Sequence, residues 1–348
     1  MRERFDRFLG LAAERGLSVV PVLFDDCTFG EPPVREPYAG KQRDPIPGMI
    51  MPSWTPSPGL SKVVDTGAWP ELERYVVDMV GAFAGDSRVL FWDLYNEPGN
   101  SGMGDKSLPL VEAAFGWARS ANPSQPLSVG LWGGPEKSAA RIEALSDVVS
   151  FHFYGNLEGM REKIEGYKKF GRPVICTEWM ARPLGSRWDT DFELLAKEGV
   201  SCYNWGLVNG RTQCQFSWNS KRGAPAPEVW FHDLFHADGT PYDGREIEAI
   251  KRVTGERRSL GRAVAAVRKL FETPLRDTSI CVGPDKTYYL TGTREPFWGD
   301  NNGISVWRSK DLTAWESLGV VWQYGASEWH KDFLKAKKPL WAPEIHYA

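Results

Sequence analysis

Two hydrophobic rhythms take turns along this chain. Residues 2–15 place Phe5, Phe8, Leu9 and Ala12 at helical spacing with charges opposite, which predicts an amphipathic helix ended by Gly16. Residues 17–24 (LSVVPVLF) then read as a strand that runs into Asp25-Asp26. A long stretch rich in Gly and Pro follows, from about 28 to 67, and it holds Trp54. Beyond it the alternation is strict. Helices are predicted near 69–83, 109–121, 136–145, 157–170, 190–198 and 245–253, and strands at 89–97, 127–132, 147–154, 173–178 and 200–206. Continuous apolar strands separated by helices are the mark of a parallel α/β sheet covered by helices. Six strands are visible, so the sheet is either open or part of a closed (β/α)8 barrel, which needs eight.

The rhythm stops near residue 255. Arg257, Arg258, Arg262, Arg268 and Lys269 make a basic, helix-prone connector, and after Pro274 short strands appear at 278–282, 287–293 and 303–308. That spacing suits one blade of an antiparallel β-propeller, with a further strand beginning near the last residues. The expected organisation is an α/β unit at 1–254, a basic helical linker at 255–273 and an incomplete propeller segment at 274–348.

Two strands end in a carboxylate. VLFWDLY at 89–95 opens into Asn96-Glu97-Pro98, and PVICT at 173–177 delivers Glu178. Pro98 is expected to keep Glu97 extended. An acid after an apolar strand is costly unless it is paired or used, so salt-bridged strand ends are the bland alternative to catalysis. Two such acids at the carboxyl edge of one parallel sheet are the parts needed to cleave a glycosidic bond. His152 and Tyr154 end another strand two residues apart and share a side, where they can serve a carboxylate or a sugar hydroxyl, or simply fill the core. Trp205 can floor a sugar subsite or pack as core. Asp25, at its strand end, either binds sugar hydroxyls or caps the loop. His232 and His236 are four apart, but no HExxH pattern and no third ligand accompanies them, so no metal is expected. No phosphate loop and no GxSxG elbow is present, and no cofactor is expected.

Composition narrows the partners. With 42% hydrophobic residues in 348 the chain can bury a sizeable core, and a net charge of −3 argues against nucleic acid. The 16 tryptophans lean toward carbohydrate, because a flat indole suits the apolar face of a sugar ring. The five cysteines are scattered without a CxxC pair and read as buried free thiols. No apolar run is long enough to span a bilayer, so no membrane partner is expected. Met1-Arg-Glu-Arg opens directly into a helix rather than a signal peptide.

On these residues, 8–252 resemble clan A glycoside hydrolases, especially family 5-like enzymes of the cellulase or 1,4-β-xylanase type. In that clan the acid/base Glu follows Asn at the end of the fourth strand and the nucleophile Glu ends the seventh. Glu97 ends the second visible strand and Glu178 the fifth, the same separation. The resemblance therefore implies a (β/α)8 TIM barrel lacking its first two strands, with secretion or periplasmic export expected if a signal peptide lies in a missing N-terminus. It implies Asn96 as the partner of the sugar 2-hydroxyl, His152 and Tyr154 as the sixth-strand pair with Tyr154 holding the nucleophile, and Trp205 as the eighth-strand platform. The third strand departs from the pattern, ending in Asp25-Asp26 where family 5 usually offers His. Residues from about 274 resemble the start of a family 43-like five-bladed propeller, which makes Asp277 its possible general base. The expected activity is retaining hydrolysis of a β-linked glycan, plant cell-wall type, with Glu178 as nucleophile and Glu97 as acid/base, its carboxyl raised by burial near Glu178. The alternatives are an inverting arabinofuranosidase or xylosidase through the propeller, or a non-catalytic carbohydrate-binding fragment.

Overall fold

Strand and helix alternate through most of the protein as the hydrophobic pattern predicts. The computed structural model describes residues 1–29, 36–38, 40–41, 44–52, 54–263, 275–294, 303–323, 343 and 345, with side chains at 256–263, 276 and 277 outside that description. The order is α1 (Arg2–Ala13), β1 (Val22–Asp25), α2 (Leu60–Val64), α3 (Trp69–Ala82), β2 (Trp92–Asn96), α4 (Leu108–Ser120) and β3 (Leu127–Gly130). Then come α5 (Glu136–Leu145), β4 (Val149–His152), α6 (Leu157–Lys168), β5 (Val174–Trp179), α7 (Asp191–Lys197), β6 (Ser201–Asn204) and α8 (Gly244–Ala263). Two compact units result, Met1–Arg257 and Arg258–Ala348.

In the first unit β1, β2 and β3 pair in parallel, as do β4, β5 and β6. A parallel bridge between Leu131 and Phe151 joins β3 to β4. All six strands therefore point their carboxyl ends the same way, which is the condition for a shared site. Every residue of β2, β3 and β4 is buried. β6 alternates between exposed and half-buried, as a strand paired on one side does. Helices cover the sheet through one apolar face each. α4 buries Leu110, Val111, Ala114, Phe115 and Ala118 against β2 and α3.

Local chemistry trims the predicted elements. The first strand begins at Val22 rather than at 17, because Pro21 has no N–H for a ladder and Val19 makes only an isolated bridge to Val89. Phe8, expected on the buried face of α1, is 55% exposed, whereas Leu9 and Ala12 are buried and Phe5 meets Phe83 edge-on at 4.9 Å. The helix predicted near 245–253 continues to Ala263 through the basic stretch. Glu97 is not extended: its φ is +46°, a left-handed conformation outside the extended range that a following proline favours.

The second unit is a four-stranded antiparallel sheet of β7 (Leu275–Val282), β8 (Tyr288–Arg294), β9 (Gly303–Ser309) and β10 (Glu316–Gln323), paired in sequential order. One sheet of this kind does not by itself define a propeller. The side chain of Asp277 lies outside the described residues, and so does Glu344. Among the described residues no helix is long and apolar enough to cross a membrane.

A buried ion pair ties α8 to the sheet. Arg182, just beyond β5, donates to Glu246 Oε1 at 2.8 Å and Oε2 at 2.6 Å and to the carbonyls of Trp230 and Asp233, both at 3.0 Å. Its guanidinium also lies 4.6 Å from the ring of Tyr242. Removing one partner strands the other charge, so Arg182→Ala should lose about 3–5 kcal/mol of unfolding free energy. Arg182→Lys should recover little of it, since an ammonium cannot make the forked contact. Chemical denaturation of the three proteins checks both outcomes.

Candidate active site

The carboxyl ends of β1, β2, β4, β5 and β6 converge on a cavity of ≈ 680 Å³. Asn96, Glu97, His152, Tyr154, Glu178 and Trp205 all line it, together with Cys27, Asn100 and the indoles of Trp54, Trp132 and Trp218. Register places them. Asp25 is opposite Asn96 across β1 and β2, and His152 is opposite Glu178 across β4 and β5. Glu97 follows β2 in its left-handed turn, which swings the carboxylate off the strand line and into the cavity. Glu178 is the penultimate residue of β5.

One carboxylate oxygen of Glu97, one of Glu178 and a ring nitrogen of His152 lie within 4.8 Å of one another. His152 Nδ1 is 2.7 Å from Glu97 Oε1 and 3.4 Å from Glu178 Oε2. Glu97 Oε2 accepts from Asn100 Nδ2 at 2.6 Å and from the Cys27 thiol at 3.1 Å. Glu178 Oε2 accepts from Tyr154 Oη at 2.7 Å. Among the described residues this trio is also the one group with the spacing to ligate a cation, although its donor atoms already engage each other.

The ionisation of the pair runs opposite to the expectation. Burial is the largest influence on Glu97 and pushes its carboxyl up, but the hydrogen bond and charge of His152, with Cys27 and Asn100, outweigh it and leave the group below its ordinary value. Glu178 is the raised one. Burial and the Glu97 charge push it up, and His152 and Tyr154 only partly oppose them. The physical reason is the position of His152, which stands closer to Glu97 than to Glu178.

Asp25 faces the protein rather than the cavity. Its Oδ1 accepts from Cys27 N at 2.8 Å and Asn96 Nδ2 at 3.0 Å, and its Oδ2 from Trp54 Nε1 at 2.7 Å. That bond sets Trp54 edge-on against Trp205, ring centres 5.7 Å apart. Asp26 holds the loop after Glu97 by accepting from Tyr95 Oη at 2.6 Å, Gly99 N at 2.7 Å and Ser107 Oγ at 2.5 Å. His232 and His236 make packing contacts: His232 Nδ1 lies 2.6 Å from the Met180 carbonyl and its ring lies against Tyr154 and Trp218, while His236 meets Trp230 edge-on. Cys27 and Asn100 escaped the sequence reading. The signal Cys27 carried is its place just past the end of β1, on the loop that follows the strand's carboxyl end.

Comparison with known proteins agrees with the resemblance. Residues 53–210 match the profile of cellulase (glycosyl hydrolase family 5), and residues 270–348 match glycosyl hydrolases family 43. A β-glucuronidase of Paenibacillus borealis is 27% identical over 116 residues, which cover 30% of this chain and 19% of that protein. The chain thus spans about a fifth of the length of that curated relative. Among solved structures, the endo-β-1,4-mannanase from Thermotoga petrophila aligns at 14% identity and a TM-score of 0.49, over 91% of this chain and 76% of that one. Xylanase B from Clostridium stercorarium F9 aligns at 19% identity and 0.37, over 49% and 63%.

The electrostatics give a direct test. Burial alone holds the His152 imidazole down, but the charges of Glu178, Glu97 and Asp93 and the bond to Glu97 push it up to about 9. The folded value exceeds the ordinary histidine value of about 6.5, so the stabilisation is fully present below about pH 6.5 and is lost as pH rises through the folded value. In ¹⁵N-histidine NMR of the full chain, the resonance absent from His152→Gln should titrate near about 9. A midpoint at or below about 6.5 contradicts this arrangement.

Proposed function

We propose that the first unit hydrolyses β-linked glycans of the plant cell-wall type by retaining double displacement, with Glu178 as nucleophile and Glu97 as acid/base. The observation that carries the reading is the distance between the two acids, whose facing oxygens lie within 4.8 Å inside a tryptophan-walled cavity. A retaining pair stands about 5–5.5 Å apart, whereas an inverting pair must leave room for a water at about 6.5–9.5 Å. The family 5 match over residues 53–210 spans both acids and supports the same assignment. In this reading β1–β6 correspond to strands three to eight of a (β/α)8 barrel.

Glu178 attacks the anomeric carbon as the bond to the leaving oxygen breaks, and Glu97 gives that oxygen its proton. A water then loses a proton to Glu97 and displaces Glu178, which restores both acids. Before the first step the proton must be on Glu97 and off Glu178, the reverse of their preference in the free site. Positive charge developing at the anomeric centre favours Glu178 as the anion. His152 Nδ1, which reaches both acids, is the route by which a proton passes between them. Asn96 and Tyr154 bind ring hydroxyls, Trp205 with Trp54 stacks on the sugar face, and Asp25 acts through Trp54 and Asn96. The family 43 match of residues 270–348 supports a second glycosidase-type element, in which the resemblance makes Asp277 the base.

The roles separate by product stereochemistry. Glu178→Ala should lower turnover of β-1,4-linked glycans and aryl β-glycosides at least about a thousand-fold. Azide entering the space it leaves should yield the glycosyl azide of inverted configuration. Glu97→Ala should keep activity on aryl glycosides with good leaving groups and, with azide, yield the retained product. The opposite pair of azides would exchange the two roles. Binding of xylo- or cello-oligosaccharides without product release would instead favour a carbohydrate-binding fragment.

A further inference from the structure

We infer that Cys27 is a positioning residue for Glu97: its thiol donates to Oε2 and holds that oxygen, with Asn100, so that Oε1 stays with His152. The inference rests on the reading of Glu97 as acid/base for its catalytic meaning, though the contact itself is independent of it. Several observations converge. Cys27 is buried and lies directly past β1, where its own N–H closes a turn onto Asp25 Oδ1 at 2.8 Å. That turn aims Sγ across β2, 3.1 Å from Glu97 Oε2 and 3.5 Å from Asn96 Nδ2. Cys176 is likewise buried, yet its thiol meets backbone groups, those of Glu178 (carbonyl at 3.4 Å) and Phe153, rather than a carboxylate.

The thiol has to remain protonated to donate, and its surroundings ensure this. Burial comes first, followed by the charges of Glu97, Asp25 and Glu178, and together they drive the thiol well above its ordinary range. A thiolate there would repel three carboxylates. Low-pKa cysteines that attack or oxidise readily sit beside cations, so this one is built as a donor rather than a nucleophile. A thiol is also a weak donor. A hydroxyl in its place would stabilise the Glu97 anion more strongly and oppose its use as an acid. The thiol orients the carboxylate while leaving its proton affinity less depressed. The charged and titratable groups around Glu97 are Asp25 of β1 and Cys27 just past it, Asp93 of β2, His152 of β4 and Tyr154 just past it, and Glu178 of β5.

The test is a ¹³C-glutamate NMR titration of the full chain, with the Glu97 carboxyl assigned by its loss in Glu97→Gln. In Cys27→Ala the Glu97 midpoint should move up by about half to one pH unit, because one donor to the anion is gone. In Cys27→Ser it should fall below the wild-type value, because a hydroxyl is the stronger donor. The acid limb of kcat/KM on a glycan should move the same way, since Glu97 is the lower-titrating of the two acids in the free site. If Cys27→Ala fails to fold, the downward shift in Cys27→Ser decides. A Glu97 midpoint unmoved in the variants overturns the inference and leaves the glycosidase reading intact. Full activity in Glu178→Ala would remove that reading while the titration still reports on the contact.

Discussion

Two carboxylates held within 4.8 Å of each other away from water are the constraint from which the first unit follows. At an effective dielectric of about 20, two full charges that close repel by about 3.5 kcal/mol, before any cost of burial. The fold meets this with one cation and several donors. His152 reaches both acids, Tyr154 serves Glu178, and Asn100 and Cys27 serve Glu97. Space for the imidazole is itself conserved by the backbone: a Cβ on Gly130 would come within 2.7 Å of His152 Nε2 and 3.3 Å of Asp93 Oδ2. Glycine at the end of β3 is thus part of the electrostatic arrangement, because it leaves room for the group that makes the pair tolerable.

The rest of the first unit reads as support for that placement. Parallel pairing sends six strand ends to one edge, and buried β2, β3 and β4 keep their register. Glu97 adopts a backbone conformation that costs a non-glycine residue about 1–3 kcal/mol unless its surroundings enforce it. They do so from both sides. Asp26 gathers Tyr95, Gly99 and Ser107, which brackets the turn, and the side chain is held by three separate donors. The neighbouring acids at 25 and 26 divide the labour, one fixing the aromatic wall and the other fixing the loop.

How much of this was legible depended on range. Period-2 and period-3.6 patterns are local, and they placed α5 at Glu136–Leu145 and the acids Glu97 and Glu178 at strand ends. His152 and Tyr154 were found by the same two-residue logic. The ionisation order was not legible, because it depends on which carboxylate His152 stands nearer to, and those residues are 55 apart in sequence. Cys27 was hidden for a similar reason: its partner Glu97 lies 70 residues away in sequence. The turn at Glu97 defeated the proline rule because contacts from residues distant in sequence hold the left-handed conformation against that local preference.

Asp25 shows how a residue identified correctly by position can serve in an unexpected direction. Its place at a strand end suggested a hand for sugar hydroxyls, yet both its oxygens are engaged by Cys27 N, Asn96 and Trp54. Buried polar groups are satisfied before they are available, so a saturated carboxylate has little left for a ligand. What it contributes is geometry. Through Trp54 it fixes the edge-on contact with Trp205, and through Asn96 it fixes the amide beside Glu97. A single buried carboxylate thereby joins the aromatic wall to the acid that stands opposite Glu178. Any substitution at Asp25 disturbs stacking and acid placement together, and the two effects are coupled by construction rather than additive.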